Sequence, residues 1–244
     1  MSHGDDHSTV LVPVDVSADE TPHGEALGLL RSAEVVLLGY YPVPDQAAPA
    51  QVKHQHESEA ERRLSEVAEE VDAAAGNLTE VLVFTHDRQE TVDRIADEYG
   101  CDAVLTVGEA GAVERILVPL RGRENLDRIL GLAADLLSEN DASVTLFHSL
   151  DEDDGGRQEG ESLLEDAAGR LTDAGIAAER ISSRVSEGKD TPAEVAEMGE
   201  GFDVLVLGET EPSLRERILG AVPTQIIKRT DASVFVVRKE GPDT

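Results

Sequence analysis

Three residues stand where predicted strands end, which is where sheets of parallel strands bind ligands. Asp15 follows the apolar run of residues 9–14, and Gly108 and Gly208 close the apolar runs 103–108 and 203–208. In an open α/β sheet, ligands sit outside the carboxyl ends of the strands, where the strand order reverses. Asp15 therefore fits either a ligand contact or a polar residue leading into a helix, and both glycines fit either ligand contacts or plain turns.

The other reactive side chains form no recognisable catalytic or metal-binding pattern. Cys101 is the single cysteine, so the sequence excludes a disulfide framework and a cysteine-cluster metal site. His54 and His56 are two residues apart and would lie on different faces of a helix, which disfavours a shared metal ion. The chain also lacks a Ser-His-Asp spacing and a phosphate loop ending in Gly-Lys-Ser or Gly-Lys-Thr. These features predict a protein that is not an enzyme.

The chain is strongly acidic throughout. Asp and Glu number 51 against 21 Lys and Arg, which gives a formal net charge of -30. This charge repels phosphate backbones and anionic lipids, so we expect neither nucleic acid nor a membrane surface as a partner. A spread acidic surface with few lysines is typical of adaptation to a high-salt cytoplasm, as in a halophilic archaeon.

Hydropathy predicts a cytoplasmic location. Apolar residues make up 40% of the chain, which is enough to bury a sizeable core. No apolar run approaches the roughly 20 residues of a membrane span, so we expect no membrane insertion. Residues 1–7 are polar and acidic, unlike a signal peptide.

One order of strands and helices is written twice along the chain. The run TVLVPV at residues 9–14 returns as RILVPL at 115–120, and CDAVLTVGEAG at 101–111 returns as FDVLVLGETE at 202–211. Strands alternate with helices in both copies, which predicts right-handed crossovers and a mainly parallel sheet covered on both faces. The second copy continues further, with a helix over about residues 213–228 and a last strand over 233–237.

The repeat predicts two tandem α/β units, each a doubly wound, Rossmann-like parallel sheet, with the first unit lacking its last helix and strand. The predicted boundaries are a disordered terminus at 1–8, a truncated unit at 9–112, a complete unit at 113–239 and a tail at 240–244.

The second copy resembles the universal stress protein family. The resemblance covers about residues 115–239 and is carried by ILVPL, VTLFHSL, Val185 with Gly188, DVLVLG and the closing LGAVPTQIIKRTDASVFVV. The first copy matches more loosely from residue 9 to 111. The resemblance implies a five-stranded fold of the adenine-nucleotide alpha-hydrolase-like kind and dimerisation through the last, edge strand. In one large branch it also implies ATP at the strand ends.

That branch carries a phosphate loop of the form G-x2-G-x9-G-[S/T], in which glycines let the backbone approach the phosphates. In the second copy, Glu211 replaces the middle glycine, the spacing to Gly220 is one residue short, and Ala221 replaces the hydroxyl residue. The strand-end Asp expected there is replaced by Arg121. The site of this copy is therefore interpreted as degenerate.

The first copy has the complementary faults. Asp15 and the pair Gly108 and Gly111 are present, but the chain then passes directly into the next strand at Arg115. A composite site that uses Asp15 with Gly208 and Gly220 is geometrically allowed by the sequence. If ATP or AMP binds at all, the candidate contacts are Asp15, Gly108, Gly111, Leu120, Val185, Gly208 and Gly220.

The last strand is the candidate assembly element. Its residues are Ser233, Val234, Phe235, Val236 and Val237. An apolar strand of this kind is exposed unless it is paired. We expect it either to pair with the same strand of a second chain, which makes a homodimer, or to complete the sheet of the first unit.

These features predict a non-enzymatic regulatory or stress-response protein that acts through assembly or partner binding. Two alternatives remain open. One, implied by the resemblance, is a sensor of an adenine nucleotide or a cyclic dinucleotide, with slow ATP hydrolysis as the alternative to a lack of enzymatic activity. The other is an accessory subunit of a membrane transporter.

Overall fold

Strands and helices alternate in the computed structural model, which describes residues 7–18, 25–75, 77–108, 111–150, 156–187, 191–209 and 230–239. In the first half, the strands are β1 (Thr9–Asp15), β2 (Glu34–Pro42), β3 (Leu78–Thr85) and β4 (Ala103–Thr106). They are connected by a 3-10 helix (Glu25–Ser32), α1 (Pro49–Ala75) and α2 (Arg88–Glu98).

The second half repeats this order and adds one strand. Its strands are β5 (Arg115–Pro119), β6 (Ser143–Ser149), β7 (Ile181–Ser186), β8 (Val204–Gly208) and β9 (Ser233–Val237). Its helices are α3 (Leu126–Ser138), α4 (Arg157–Asp173), a 3-10 turn (Ala178–Arg180) and α5 (Thr191–Gly199). The predicted helix over residues 213–228 lies outside the described residues.

The nine strands in the described residues form one sheet in the order β3-β2-β1-β4-β9-β8-β5-β6-β7. The central strands are short runs of branched apolar residues, as expected for parallel strands covered on both faces. Three consecutive residues of β1 and three of β5 have no solvent exposure: Val10, Leu11, Val12, Ile116, Leu117 and Val118. The predicted α/β architecture with a mainly parallel sheet is confirmed.

β9 is an interior strand. It pairs in parallel with β8, and its other edge pairs antiparallel with β4, from Thr106 opposite Val234 to Ala103 opposite Val237. Of the two arrangements expected for this strand, the structure has the one that completes the sheet of the first half. The expectation of an unpaired edge strand available to a second chain is wrong, because both hydrogen-bonding edges of β9 are used within the chain.

The antiparallel step between β4 and β9 sets the direction of each half. The other described strand pairs are parallel, so β1 to β4 run opposite to β5 to β9. The carboxyl ends of β1 to β4 therefore lie along one side of the sheet, where strands begin or end, and those of β5 to β9 lie along the opposite side. Two strand-end sites, one in each half, would be separated by the full length of the strands.

The helices cover both faces of the sheet. On one face a continuous core crosses from β1 and β2 to β5 and β6 beneath α1, α3, α4 and the 3-10 helix Glu25–Ser32. On the opposite face the core is divided into one cluster beneath α2 and another beneath α5. The two halves therefore share one core on the first face.

Three local details concern the first half of the chain. The first connection contains the 3-10 helix Glu25–Ser32, and α1 starts at Pro49, a residue whose fixed φ suits the first turn. Ser8, expected in a disordered terminus, donates from its backbone N–H and its Oγ to Oδ2 of Asp135, at 2.9 and 2.6 Å.

No described helix combines the length and the apolar character that a membrane span requires.

Candidate ligand sites at the strand ends

Asp15 ends β1 and closes a local turn. Its Oδ1 accepts hydrogen bonds from the backbone N–H of Ser17 at 2.8 Å and from the hydroxyl of Ser17 at 2.6 Å. Such Asp turns are a common way to leave a strand. One oxygen of this carboxylate is therefore already engaged within the chain.

Tyr40 lies beside Asp15 in the β1–β2 register, and Arg88 lies over its ring. The guanidinium carbon of Arg88 is 5.3 Å from the ring centroid, which is a cation–π distance. Burial raises the pKa of the Tyr40 phenol, Arg88 lowers it, and the negative charge of Asp15 raises it, with a net upward shift. The phenol is therefore a neutral donor at neutral pH.

Aromatic rings cluster at the same edge, although the whole chain has only 3% aromatic residues. Tyr41 stacks between His56 and Phe84, with ring centroids 5.1 and 5.0 Å apart and interplanar angles of 22°. Offset stacking of this kind fixes ring orientation. It ties α1 to the ends of β2 and β3. Of these three rings, sequence reasoning considered His56 alone, as a metal ligand, and it did not single out Tyr41 or Phe84.

Gly108 approaches the chain that leads into β9. A Cβ atom placed on Gly108 would lie 2.2 Å from the backbone oxygen of Asp231 and 2.5 Å from the backbone of Ala232. The N–H of Gly108 donates to Oγ of Ser233 at 3.0 Å. The absence of a side chain at Gly108 therefore lets the backbone that leads into β9 come close. Gly111, in contrast, is exposed, and a Cβ atom placed on it would meet no other atom within 4 Å.

In the second half, polar groups at the strand ends form hydrogen bonds with one another. The carbonyl of Leu120 accepts a hydrogen bond from Nδ1 of the buried His148 at 2.7 Å, so Nδ1 carries the proton because a carbonyl only accepts. The imidazole packs against Gly160 of α4, where a Cβ atom would come within 2.5 Å of its Cδ2 atom. This contact holds α4 close to the end of β6.

Glu194 of α5 joins the ends of β6 and β7. Its two carboxylate oxygens accept from the hydroxyls of Ser149 at 2.5 Å and Ser186 at 3.0 Å. Val185, a predicted contact, is half-buried and packs against the main core. Sequence reasoning missed Glu194, since nothing in its spacing links it to two strands.

At the end of β8, Gly208 packs against Ile129 of α3, where a Cβ atom would come within 2.9 Å of Cδ1. The next residue, Glu209, accepts from the N–H of Lys239 at 2.9 Å. Gly220, Glu211 and Ala221 of the predicted phosphate loop lie outside the described residues.

The two halves do not form the composite site. Asp15 and Gly108 lie at one edge of the sheet, and Leu120, Val185 and Gly208 lie at the opposite edge, because the halves run antiparallel. The expectation that Asp15 and Gly208 are geometrically able to share one ligand is therefore wrong.

Asp102 and Asp203 occupy equivalent places in the repeat. Asp102 accepts the N–H of Thr9 at 2.8 Å, and Asp203 accepts the N–H of Arg115 at 2.9 Å, so each anchors the first strand of its half. Oδ1 of Asp102 also accepts a hydrogen bond from the guanidinium group of Arg128 of α3 at 2.7 Å. The shared Asp in the CDAV and FDV segments was the available signal, and sequence reasoning passed over it in favour of the glycines.

The remaining reactive groups carry no site among the described residues. Burial raises the pKa of the Cys101 thiol to about 11, so it is protonated and unreactive at neutral pH. No cluster of three His, Cys, Asp or Glu residues suited to a metal ion occurs in the described ranges.

A cavity of about 260 Å³ lies at the start of α3, lined by residues of both charges. Its cations are paired: Arg123 with Asp166 at 2.6 Å, Arg128 with Asp102 at 2.7 Å, and Lys239 with Glu124 at 3.8 Å. It therefore offers no strong attraction for an anion.

Comparison with known proteins supplies the family and the fold. The model of the universal stress protein family matches residues 112–238. Over 96% of this chain, its structure is similar to a universal stress protein from Archaeoglobus fulgidus, with 16% identity, 97% of that chain covered and a TM-score of 0.64. A putative universal stress protein from Pseudomonas aeruginosa is similar over 96% of this chain and 94% of its own, with 12% identity and a TM-score of 0.55. No curated protein matches significantly.

Proposed function

Since the chain belongs to the universal stress protein family, we propose that it is a non-enzymatic stress-response regulator that acts through assembly or partner binding, with degenerate nucleotide sites. The observation that carries this proposal is the contact of Gly108 with β9. The N–H of this glycine and the space beside it are occupied by Ser233 and Asp231 of the same chain.

The charged residues at the carboxyl ends of the strands in the second half support the same proposal. Arg121 follows Leu120 where the nucleotide-binding branch would have Asp, and Glu209 and Glu211 follow the end of β8. Carboxylates beside a phosphate pocket repel the ligand. The hydroxyls of Ser149 and Ser186 already donate to Glu194.

A nucleotide sensor is the second candidate, favoured by Asp15 at the end of β1. The carboxylate lies next to Tyr40 and is half-buried, as a contact to a ribose hydroxyl would require. A site in the first half alone would use Asp15 without the second half of a phosphate loop.

Calorimetry at molar salt with ATP, AMP and a cyclic dinucleotide distinguishes the two candidates. The proposal predicts no binding with a dissociation constant below about 1 mM, which corresponds to about −4 kcal/mol. Tighter binding by any of these ligands would overturn the degenerate-site proposal.

Two variants locate any binding that is found. Asp15→Asn would abolish binding in the first half, and Asp45→Asn is the matched control, because Asp45 is exposed in the loop after β2. Binding that survives both changes would lie elsewhere in the molecule.

A further inference from the structure

We propose that the outer edge of β3 is a self-association surface, at which β3 of a second copy of this chain adds antiparallel to the sheet. Among the described strands, β3 and β7 are the two ends of the sheet, since β9 is paired on both sides. A strand at the end of a sheet presents unpaired N–H and C=O groups to any strand that can dock there.

The hydrogen bonds to β2 show which groups of β3 are available. The N–H of Val35 donates to the carbonyl of Asn77, and that of Val43 donates to the carbonyl of Thr85. Backbone groups alternate in direction along a strand, so the odd-numbered residues face β2. The N–H and C=O groups of Leu78, Glu80, Leu82 and Phe84 therefore point outward.

The side chains at this edge are apolar on both faces of the sheet. Leu82 and Phe84 pack partly against the core beneath α1, and Val81 and Val83 pack partly against the core beneath α2. All four remain half-exposed. An added strand would cover them only if it were also apolar on both faces.

The other end of the sheet lacks this character. On β7, Ser182, Ser183 and Arg184 are exposed, and polar or cationic residues of this kind protect natural sheet edges. β3 carries no cation and one charged residue, Glu80. Within the part of the chain that the structure describes, the unprotected edge is therefore that of β3.

β3 itself is the segment whose chemistry fits this edge. Its central residues, VLVF, are apolar on both faces, so a two-fold antiparallel pair matches apolar side chains with one another. A register centred on Leu82 places Glu80 opposite Phe84 of the second copy, and one centred on Val83 places it opposite His86. Neither brings the two Glu80 carboxylates together, which would be unfavourable.

The net charge of -30 opposes association of two copies at low salt. Salt shortens the range of this repulsion to about 3 Å at 1 M. The dimer should therefore be sought at molar salt.

Sedimentation velocity of Glu80→Pro and Glu80→Ala tests the surface. Proline at position 80 removes an N–H that points outward, so the hydrogen bonds between β3 and β2 are kept. The side chain that it replaces is exposed. We expect the wild-type chain and Glu80→Ala to dimerise, and Glu80→Pro to raise the dissociation constant at least about tenfold, which corresponds to 1.4 kcal/mol.

Ser183→Pro is the matched control at the other edge, because Ser183 is exposed and its backbone groups also point outward from the sheet. It should leave the dimer intact. A wild-type chain that stays monomeric, a Glu80→Pro chain that still dimerises, or a dimer lost in Ser183→Pro would each overturn the proposal.

Amide hydrogen exchange of the wild-type chain gives a readout that needs no variant. The amides of Leu82 and Phe84 should become more protected as protein concentration rises, and unchanged protection would contradict the proposal. This surface is distinct from the strand-end sites. Nucleotide binding would overturn the degenerate-site proposal and leave β3 pairing unaffected. A monomer would overturn β3 pairing and leave the degenerate-site proposal, with partner binding as its mode of action, in place.

Discussion

Gly108 lies where the backbone that enters β9 comes closest to the end of β4. A side chain there would meet the carbonyl oxygen of Asp231 at 2.2 Å, and backbone atoms cannot move aside as a flexible side chain can. We therefore expect Gly108→Ala to lower the free energy of unfolding by about 1–3 kcal/mol, the usual cost of overpacking. Urea denaturation at molar salt measures this loss.

Gly111→Ala provides the comparison within the same loop, because no described atom beyond its chain neighbours lies within 4 Å of the added carbon. Its free energy of unfolding should remain within about 0.5 kcal/mol of the wild-type value. Equal stability of the two variants would show that Gly108 does not support β9.

For single residues, the sequence predicted positions in the fold better than it predicted contacts. Asp15 and Gly208 do end strands, and Gly108 follows the last residue of β4, Thr106, by two positions. The partner of Gly108, however, is more than 120 residues away, and no local spacing records that contact. The same reason explains why Glu194 was not found, since its partners Ser149 and Ser186 lie on two other elements.

Among the elements, β9 has the largest structural role because it belongs to both halves. The side chain of Phe235 is fully buried in the continuous core, and its backbone lies opposite Leu105 of β4 and Val206 of β8. Phe235→Ala should cost about 3–5 kcal/mol. Because the strand joins both halves, thermal unfolding should shift as one transition.

Phe202→Ala is the control for this prediction, since Phe202 is half-buried and, of the core clusters in the described residues, packs against the one beneath α5. Its effect should be smaller. If Phe235→Ala splits unfolding into two transitions with the first half unchanged, β9 does not couple the halves.

The elements themselves could be predicted from apolar runs, because buried parallel strands of Val, Leu and Ile leave a clear pattern. The place of β9 could not. The backbone groups of an apolar strand can form their hydrogen bonds with strands of the same chain or of a second chain. The sequence pattern is the same in both cases. Only the three-dimensional path of the chain into residue 233 decides between them.

For the whole molecule, one consequence of the shared strand is that the two halves face opposite ways. A protein of two complete units would have two fifth strands, whereas among the described residues a single strand, β9, lies between the two halves of one sheet. The continuous core and the bridge from Arg128 to Asp102 join the halves further. The predicted boundary at residue 112 therefore marks a repeat in the sequence, and it stays a prediction as a boundary between domains.

The pairing of β9 with β4 is the central claim, and a cross-strand disulfide tests it most directly. Ala103 and Val237 are opposite each other, and both are fully buried. In a Cys101→Ala background, Ala103→Cys with Val237→Cys should form a disulfide within one chain on mild oxidation. Mass spectrometry would then find a single chain lighter by two hydrogens. A covalent dimer joined through position 237 would contradict the account, because it would place β9 against a second chain.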